Sequence, residues 1–164
     1  MGNDRDDEIS RVLGRIPSGL FILTAKNDLG QETGMLCSWV QQASFAPPLI
    51  TVAIRRERYI NEWLNTTRLA ALNLVGESDK QLLAHFGRGF EADASAFEGM
   101  TIERGVTGVP VLSQALGYLE GHVIGHFPTG DHLIHVLEIV GAKAGDTLHA
   151  EQPMVHVRKS GKNY

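Results

Sequence analysis

TGMLCSWVQQASFAPPLITVAIRRER, running from Thr33 to Arg58, has the order strand, polar corner, strand, positive charge. A mixed apolar and polar strand leads into a Ser and Gln rich segment, Pro47-Pro48 stops it, and LITVAI restarts as an apolar strand before Arg55, Arg56 and Arg58. Proline has no N–H to give to a ladder, so the Pro-Pro pair separates two strands. Such a corner suits a planar polar ligand carrying a phosphate. Strand-end amides and small hydroxyls can bond its polar edge, and a guanidinium can take the phosphate in a charge-assisted fork. An ordinary pair of strands with a solvated basic turn has the same order, and spacing alone favours that plainer reading.

Outward from this stretch, LFILTA (Leu20 to Ala25) is a short apolar run, and NDLG (Asn27 to Gly30) is a reverse turn. With the residues from Gln31 onward they form a hairpin, and an antiparallel barrel is expected to place this hairpin and LITVAI side by side. Upstream, Ile9, Val12, Leu13 and Ile16 fall at helical spacing, so a short helix from Glu8 should lie against the body and end before Pro17. Residues 1 to 7 are charged and expected to be loose. Downstream, RYINEWLNTT reads as a short helix, LAALNLV as a buried strand with Asn73 its polar member, and residues 79 to 86 as a helix capped by Ser78. Gly87 to Pro110 has weak periodicity and reads as a long loop bordering the ligand or a partner subunit. Two strands, 116 to 127 and 132 to 142, flank the turn PTGD, and Met154 to Val157 is a last short strand. The fold class is mainly β with short helices (α+β), in one domain spanning residues 1 to 164.

Composition narrows the function. At 164 residues, with 43% hydrophobic and 21% charged, the chain can build a core without metal or disulfide support. A net charge of -4 argues against a nucleic-acid surface, which draws affinity from a basic field. Cys37 is the only cysteine, so neither an internal disulfide nor a CxxC pair is available, and a reducing cytoplasm is the expected compartment. No apolar run reaches the length of a membrane span, and MGNDRDDEIS lacks a signal core. There is no GxSxG, HExxH, P-loop or GxGxxG fingerprint, so a cofactor would have to supply the difficult chemistry. Seven histidines are present without a recognisable ligand set, and no metal site is expected.

Gly34 to Ile54, with Gly34, Ser38, Ser44, Pro47-Pro48 and the hydrophobic strand after them, resembles the opening signature of the flavin reductase-like family. GRIPSGLFILTAKN (Gly14 to Asn27), ETGMLCSWVQQASFAPP and the terminal VRKSGKNY resemble, more narrowly, the flavin reductase domain at the C-terminus of cyanobacterial flavodiiron proteins. The resemblance implies an antiparallel Greek-key FMN-binding split barrel that moves hydride from NAD(P)H to FMN, with FAD as an alternative flavin, and passes electrons to an acceptor. It also implies a homodimer with an electron-accepting protein as a further partner. It assigns Met35, Leu36, Cys37, Ser38 and Trp39 to contacts with the flavin, and the Gly130-Asp131-His132 triplet makes His132 the catalytic candidate. Arg58 matches the basic position near the phosphate, followed by Arg55 and Arg56. The chain departs from the commoner Thr-Ala-Ser-Ser version of the motif by carrying Leu36-Cys37-Ser38-Trp39, which shifts weight from side-chain hydroxyls to backbone amides. The main alternative is a non-enzymatic FMN-binding electron-transfer protein. A pyridoxamine-phosphate-oxidase-like enzyme and an interaction domain with a decayed pocket are further ones.

Overall fold

The computed structural model describes residues 2 to 163, with side chains from residue 4 onward; Met1 and the Tyr164 that ends the terminal motif lie outside them. The chain order is α1 (Gly2–Gly14), β1 (Ser18–Gly19), β2 (Phe21–Lys26), β3 (Glu32–Cys37), β4 (Val40–Ser44), β5 (Leu49–Arg55), α2 (Ile60–Thr67) and β6 (Leu69–Leu74). It continues with α3 (Lys80–Phe86), β7 (Ile102–Arg104), β8 (Pro110–Leu112), β9 (Gly117–Thr129), β10 (His132–Ala144) and β11 (Val155–His156).

Seven strands form one sheet in the order β3-β2-β6-β9-β10-β5-β4, every pair antiparallel. Its two edge strands, β3 and β4, are consecutive in sequence, separated only by Ser38 and Trp39. Six strand spacings laid flat would set those edges about 29 Å apart. The three peptide links from Cys37 to Val40 reach only about 11 Å. The sheet therefore has to curl until its edges meet, and Ser38-Trp39 bridges the split; the Ala53 amide donates to the Trp39 carbonyl there at 3.0 Å.

Period-2 alternation divides the apolar residues of β2 between two cores. Leu23 and Ala25 face inward with Val52, Ile54, Trp63 and Leu64, while Ile22 faces outward beneath Leu82, Phe86 and Leu112. Each such large side chain, fully buried, contributes roughly 1.5–3 kcal/mol. Gly34 allows the outer layer to close: a Cβ there would stand 2.7 Å from Phe86 Cε1, so only glycine lets α3 lie on β3. Asn73, fully buried, donates to Ile22 O at 2.9 Å and accepts from Leu112 N at 2.7 Å, which ties β8 to the barrel.

The structure corrects several sequence expectations. The hairpin and LITVAI are not adjacent; β5 lies between β10 and β4, on the far side of the barrel from β2, because the long β9–β10 hairpin pairs β10 with it. The Gln-rich corner is itself an edge strand, β4, half solvated and paired only with β5. The helix begins at Gly2, includes residues expected to be loose and ends at Gly14, and its Ile9, Val12 and Leu13, with Ile16 just after it, are exposed instead of packed. Its inward contacts are polar: Ser10 Oγ meets Ser160 Oγ at 2.7 Å, and the Gly161 amide donates to Ser10 O at 2.7 Å. Ser78 does not cap α3; Asp79 occupies the N-cap without a side-chain cap bond. The long loop carries a hairpin, β7–β8, held to β3 by an Arg104–Glu32 fork at 2.5 and 3.0 Å. That hairpin is too short, three residues a side, to leave a periodic signal.

Candidate functional site

A cleft of about 390 Å³ opens beside the split in the barrel. That volume lies within the roughly 300–1,000 Å³ typical of ligand pockets. Met35, Leu36, Cys37 and Ser38 line it from the end of β3, Ala53, Ile54 and Arg55 from β5, and Arg58 from the turn that follows. His132 enters from the start of β10, while Leu20, Leu83, Gly87 and His156 complete the wall. Three segments remote in sequence meet there because the edges of the sheet close on each other.

His132 and Arg55 are direct cross-strand partners, so their side chains project to the same side of the β5–β10 ladder. His132 is 4% exposed, and its Nδ1 lies 2.7 Å from Asp131 Oδ1, a carboxylate that can only accept, so Nδ1 carries the proton. That bond holds the Asp131 carboxyl below its ordinary range. The Trp39 ring packs on the imidazole with centroids 4.6 Å apart, and the Arg158 guanidinium lies 5.1 Å above the Trp39 ring. His132 is thereby fixed from both an edge and a face.

Ser38 is 5% exposed, and its Oγ is buried without a hydrogen-bond partner. An unsatisfied buried hydroxyl costs on the order of 1–3 kcal/mol, so a cleft that retains one is suited to a polar ligand. Cys37 is different in kind. Burial pushes its thiol up to about 12, partly offset by a backbone hydrogen bond at Leu23, so it is a protonated packing group at neutral pH.

The arginines do not act together. Arg55 and Arg58 line the cleft, whereas Arg56 is exposed and lies outside it, donating to Thr129 O at 3.3 Å while its amide bonds Asp131 O at 3.0 Å. Arg56 braces the β9–β10 turn. Trp39 also stays outside the cleft lining and borders an adjoining groove of about 320 Å³ with Ile16, Val40 and Ile134. The loop expected at the site reaches it only through its first residues: Gly87 lines the wall, and a Cβ on Gly89 would stand 3.3 Å from Arg58 Nη1. Sequence reasoning missed His156, Leu20 and Leu83. His156 arrives on the short strand expected over Met154 to Val157, but the two-residue β1 that pairs with it and brings it to the cleft carries no distinct sequence signal. Among the described residues no group of three or more His, Cys, Asp or Glu side chains could hold a metal ion.

An antiparallel barrel split at one seam, with its cleft at the split, defines the split-barrel class of proteins. Within it the chain belongs to the flavin reductase like domain family, whose model matches residues 13–163. A diflavin flavoprotein A 1 of Synechocystis sp. is 36% identical over 162 residues, covering 97% of this chain and 27% of that protein. A putative diflavin flavoprotein A 3 of Nostoc sp. is 32% identical over 158 residues, covering 96% and 27%. The chain thus spans about a quarter of the length of these curated relatives. Among solved structures, an NADH:FAD oxidoreductase of Streptomyces globisporus superposes with TM-score 0.80 at 21% identity, covering 93% of this chain and 87% of that one. The styrene monooxygenase flavin reductase of Pseudomonas putida gives 0.75 at 21%, covering 90% of each. These likenesses establish the fold.

The residues present suit a flavin. Met35, Leu36, Ala53 and Leu83 offer apolar wall of the kind a flat ring needs, the Ser38 Oγ has a bond to offer a polar chain, and two guanidiniums are of the type that takes a terminal phosphate.

Proposed function

We propose that the protein is an NAD(P)H:flavin oxidoreductase whose cleft takes FMN, with FAD as an alternative flavin, and that reduced flavin passes electrons to an acceptor. The observation that carries this reading is the meeting of the unpartnered Ser38 hydroxyl, the fixed His132 imidazole and the Arg55 and Arg58 guanidiniums around one apolar cleft. The Streptomyces neighbour's being an NADH:FAD oxidoreductase, and its complex with NAD and FAD fragments, support it. Flavin supplies the electron-accepting ring, and the nicotinamide supplies the hydride.

The chain's own task is placement. Arg55 and Arg58 hold the phosphate, Ser38 bonds the ribityl side, and the apolar wall excludes water. His132 orients whichever ring lies against it, with Asp131 and Trp39 preventing its rotation. Hydride transfer needs no general base, so rate enhancement comes from alignment of the two rings. The working form is a homodimer: Trp39, Val40, Ile134 and the exposed Ile16 that follows α1 border the groove beside the cleft, where a second copy would cover them. Its place is a reducing cytoplasm, consistent with the single buried thiol.

The test is anaerobic addition of NADH, then NADPH, to the protein supplied with FMN. Bleaching of the flavin absorbance on a catalytic timescale supports the reductase. A bound yellow flavin that neither nucleotide reduces would assign the non-enzymatic electron carrier, and failure to bind any flavin would overturn both.

A further inference from the structure

The turn after β5 is tied on its outer side by Arg56 to the β9–β10 turn and on its inner side by one side-chain amide. Asn61, 5% exposed at the start of α2, points its Nδ2 at the backbone carbonyls of that turn: Arg55 O at 2.7 Å, Arg58 O at 3.0 Å and Arg56 O at 3.4 Å. Its Oδ1 lies 2.8 Å from His135 Nε2. Carbonyl oxygens only accept, so the amide nitrogen has to face the turn and the amide oxygen has to face the histidine. His135 therefore donates from Nε2, and its Nδ1, buried without a partner, keeps its lone pair. His135 stands three residues after His132 on β10 and points to the opposite face, into the barrel interior.

A continuous link thus runs from β10 through His135 and Asn61 to the turn of residues 55 to 58. It joins the strand that presents His132 to the backbone that presents Arg58, beyond the Arg55 that already pairs with His132 across the ladder. An arginine on a turn has many rotamers and a movable base, and a guanidinium recognises phosphate well only when that base is fixed. The turn's own backbone bonds, Arg58 N to Arg55 O and Asn61 N to Arg58 O, both at 3.1 Å, close it locally, and the Arg56 amide ties its outer side to Asp131 O at 3.0 Å. The Asn61 side chain adds a second anchor from the barrel interior, gathering three of the turn's carbonyls, that of Arg58 among them.

We infer that Asn61, oriented by His135, is the positioning residue for phosphate recognition, holding the Arg55–Arg58 turn in the register that lets the cleft prefer a phosphorylated flavin over its dephosphorylated form. The inference rests on the placement of phosphate at Arg55 and Arg58 proposed above. It predicts an effect on one part of the ligand only. Loss of the Asn61 amide weakens FMN and leaves riboflavin, which has the same ring and ribityl chain without the phosphate, essentially unchanged.

The experiment is titration of the purified protein with FMN and with riboflavin, followed by flavin fluorescence, for wild type, Asn61→Ser, His135→Phe and Arg58→Gln. Asn61→Ser should weaken FMN about tenfold, the order of one lost charge-assisted hydrogen bond, with riboflavin within about twofold of wild type. His135→Phe keeps the volume of a buried ring and frees the Asn61 oxygen, so it should show a smaller loss of the same FMN-only kind. Should Asn61→Ser yield no folded protein, His135→Phe carries the test alone. Equal weakening of both flavins would reduce Asn61 to a general structural role and overturn the inference. An unchanged FMN to riboflavin ratio in both variants, with a reduced ratio in Arg58→Gln, would overturn it while leaving phosphate at the arginines. An unchanged ratio in Arg58→Gln, or a wild type that does not distinguish the two flavins, would overturn the phosphate placement and the inference with it.

Discussion

Two buried polar groups, Glu120 and Ser38, lie in the same barrel and are treated oppositely. Glu120, 1% exposed on β9, has every oxygen occupied: Oε1 accepts from the Thr107 amide at 3.0 Å and the Thr107 hydroxyl at 2.6 Å, and Oε2 from the Val106 amide at 3.0 Å. It fastens the loop between β7 and β8 to the sheet. Ser38, at the split, has no partner for its hydroxyl. A satisfied buried group stabilises the fold, while an unsatisfied one costs stability until something binds it. The difference separates the part of the molecule that builds from the part that is ready to bind.

The largest expected effect is on the building side. Glu120→Ala leaves a cavity and strands three donors, and should cost about 3 kcal/mol or more in a chemical-denaturation melt. A loss below about 1 kcal/mol would mean water replaces the carboxyl without penalty, and the contrast with Ser38 would collapse. Next comes Gly105→Ala. A Cβ there would stand within van der Waals overlap of Glu120 Oε2, and the carboxyl cannot swing aside without giving up its donors. A loss of about 2 kcal/mol is expected, and it should vanish when Gly105→Ala is made in the Glu120→Ala background.

On the binding side the sign should reverse. Ser38→Ala removes an unpaired hydroxyl, so the flavin-free protein should melt at the same denaturant concentration as wild type or slightly higher, while FMN affinity falls about tenfold. A clear loss of stability without flavin would show that the hydroxyl already has a partner. Arg56→Gln is the smallest effect: its guanidinium braces Thr129 outside the cleft, so FMN affinity should stay within about twofold of wild type, well short of one lost charge-assisted bond.

His135 adds a pH test of the interior. Burial, and secondly the charge of His126, push its pKa down to about 4 from an unfolded value of 6.5. Between those values the unfolded chain binds a proton that the folded one does not. Its contribution to stability is therefore complete above about pH 6.5 and is lost progressively as pH falls toward 4. Denaturation midpoints at neutral and mildly acidic pH should fall more steeply for wild type than for His135→Phe, and parallel curves would remove His135 from the account.

The residues from Thr33 to Arg58 were legible because strand alternation, the Pro-Pro stop and the basic turn are local patterns, and the family signature lies on them. The GDH triplet marked His132 for the same reason. The place of His156 in the cleft and the Asn61–His135 link were not legible. The last strand was expected, but its partner β1 is two residues long and has no period, and an asparagine that bonds carbonyls three to six residues back and a histidine 74 residues ahead looks in sequence like any polar helix residue. Arg58 stood out through the family likeness, but Arg55 and Arg56 looked equivalent beside it. Only the position of each relative to the β9–β10 turn and the seam separates two cleft arginines from one brace.

The sequence by itself determined most of the longer strands and helices, the family, and the residue types available for a flavin, because each follows from local periodicity or a contiguous motif. The tertiary structure decided that the sheet closes on itself at Ser38-Trp39, that β5 lies across from β2, and which polar groups are left unsatisfied. Those depend on long-range pairing and on the partners each buried atom finds, and a partner dozens of residues away leaves no mark on the local pattern.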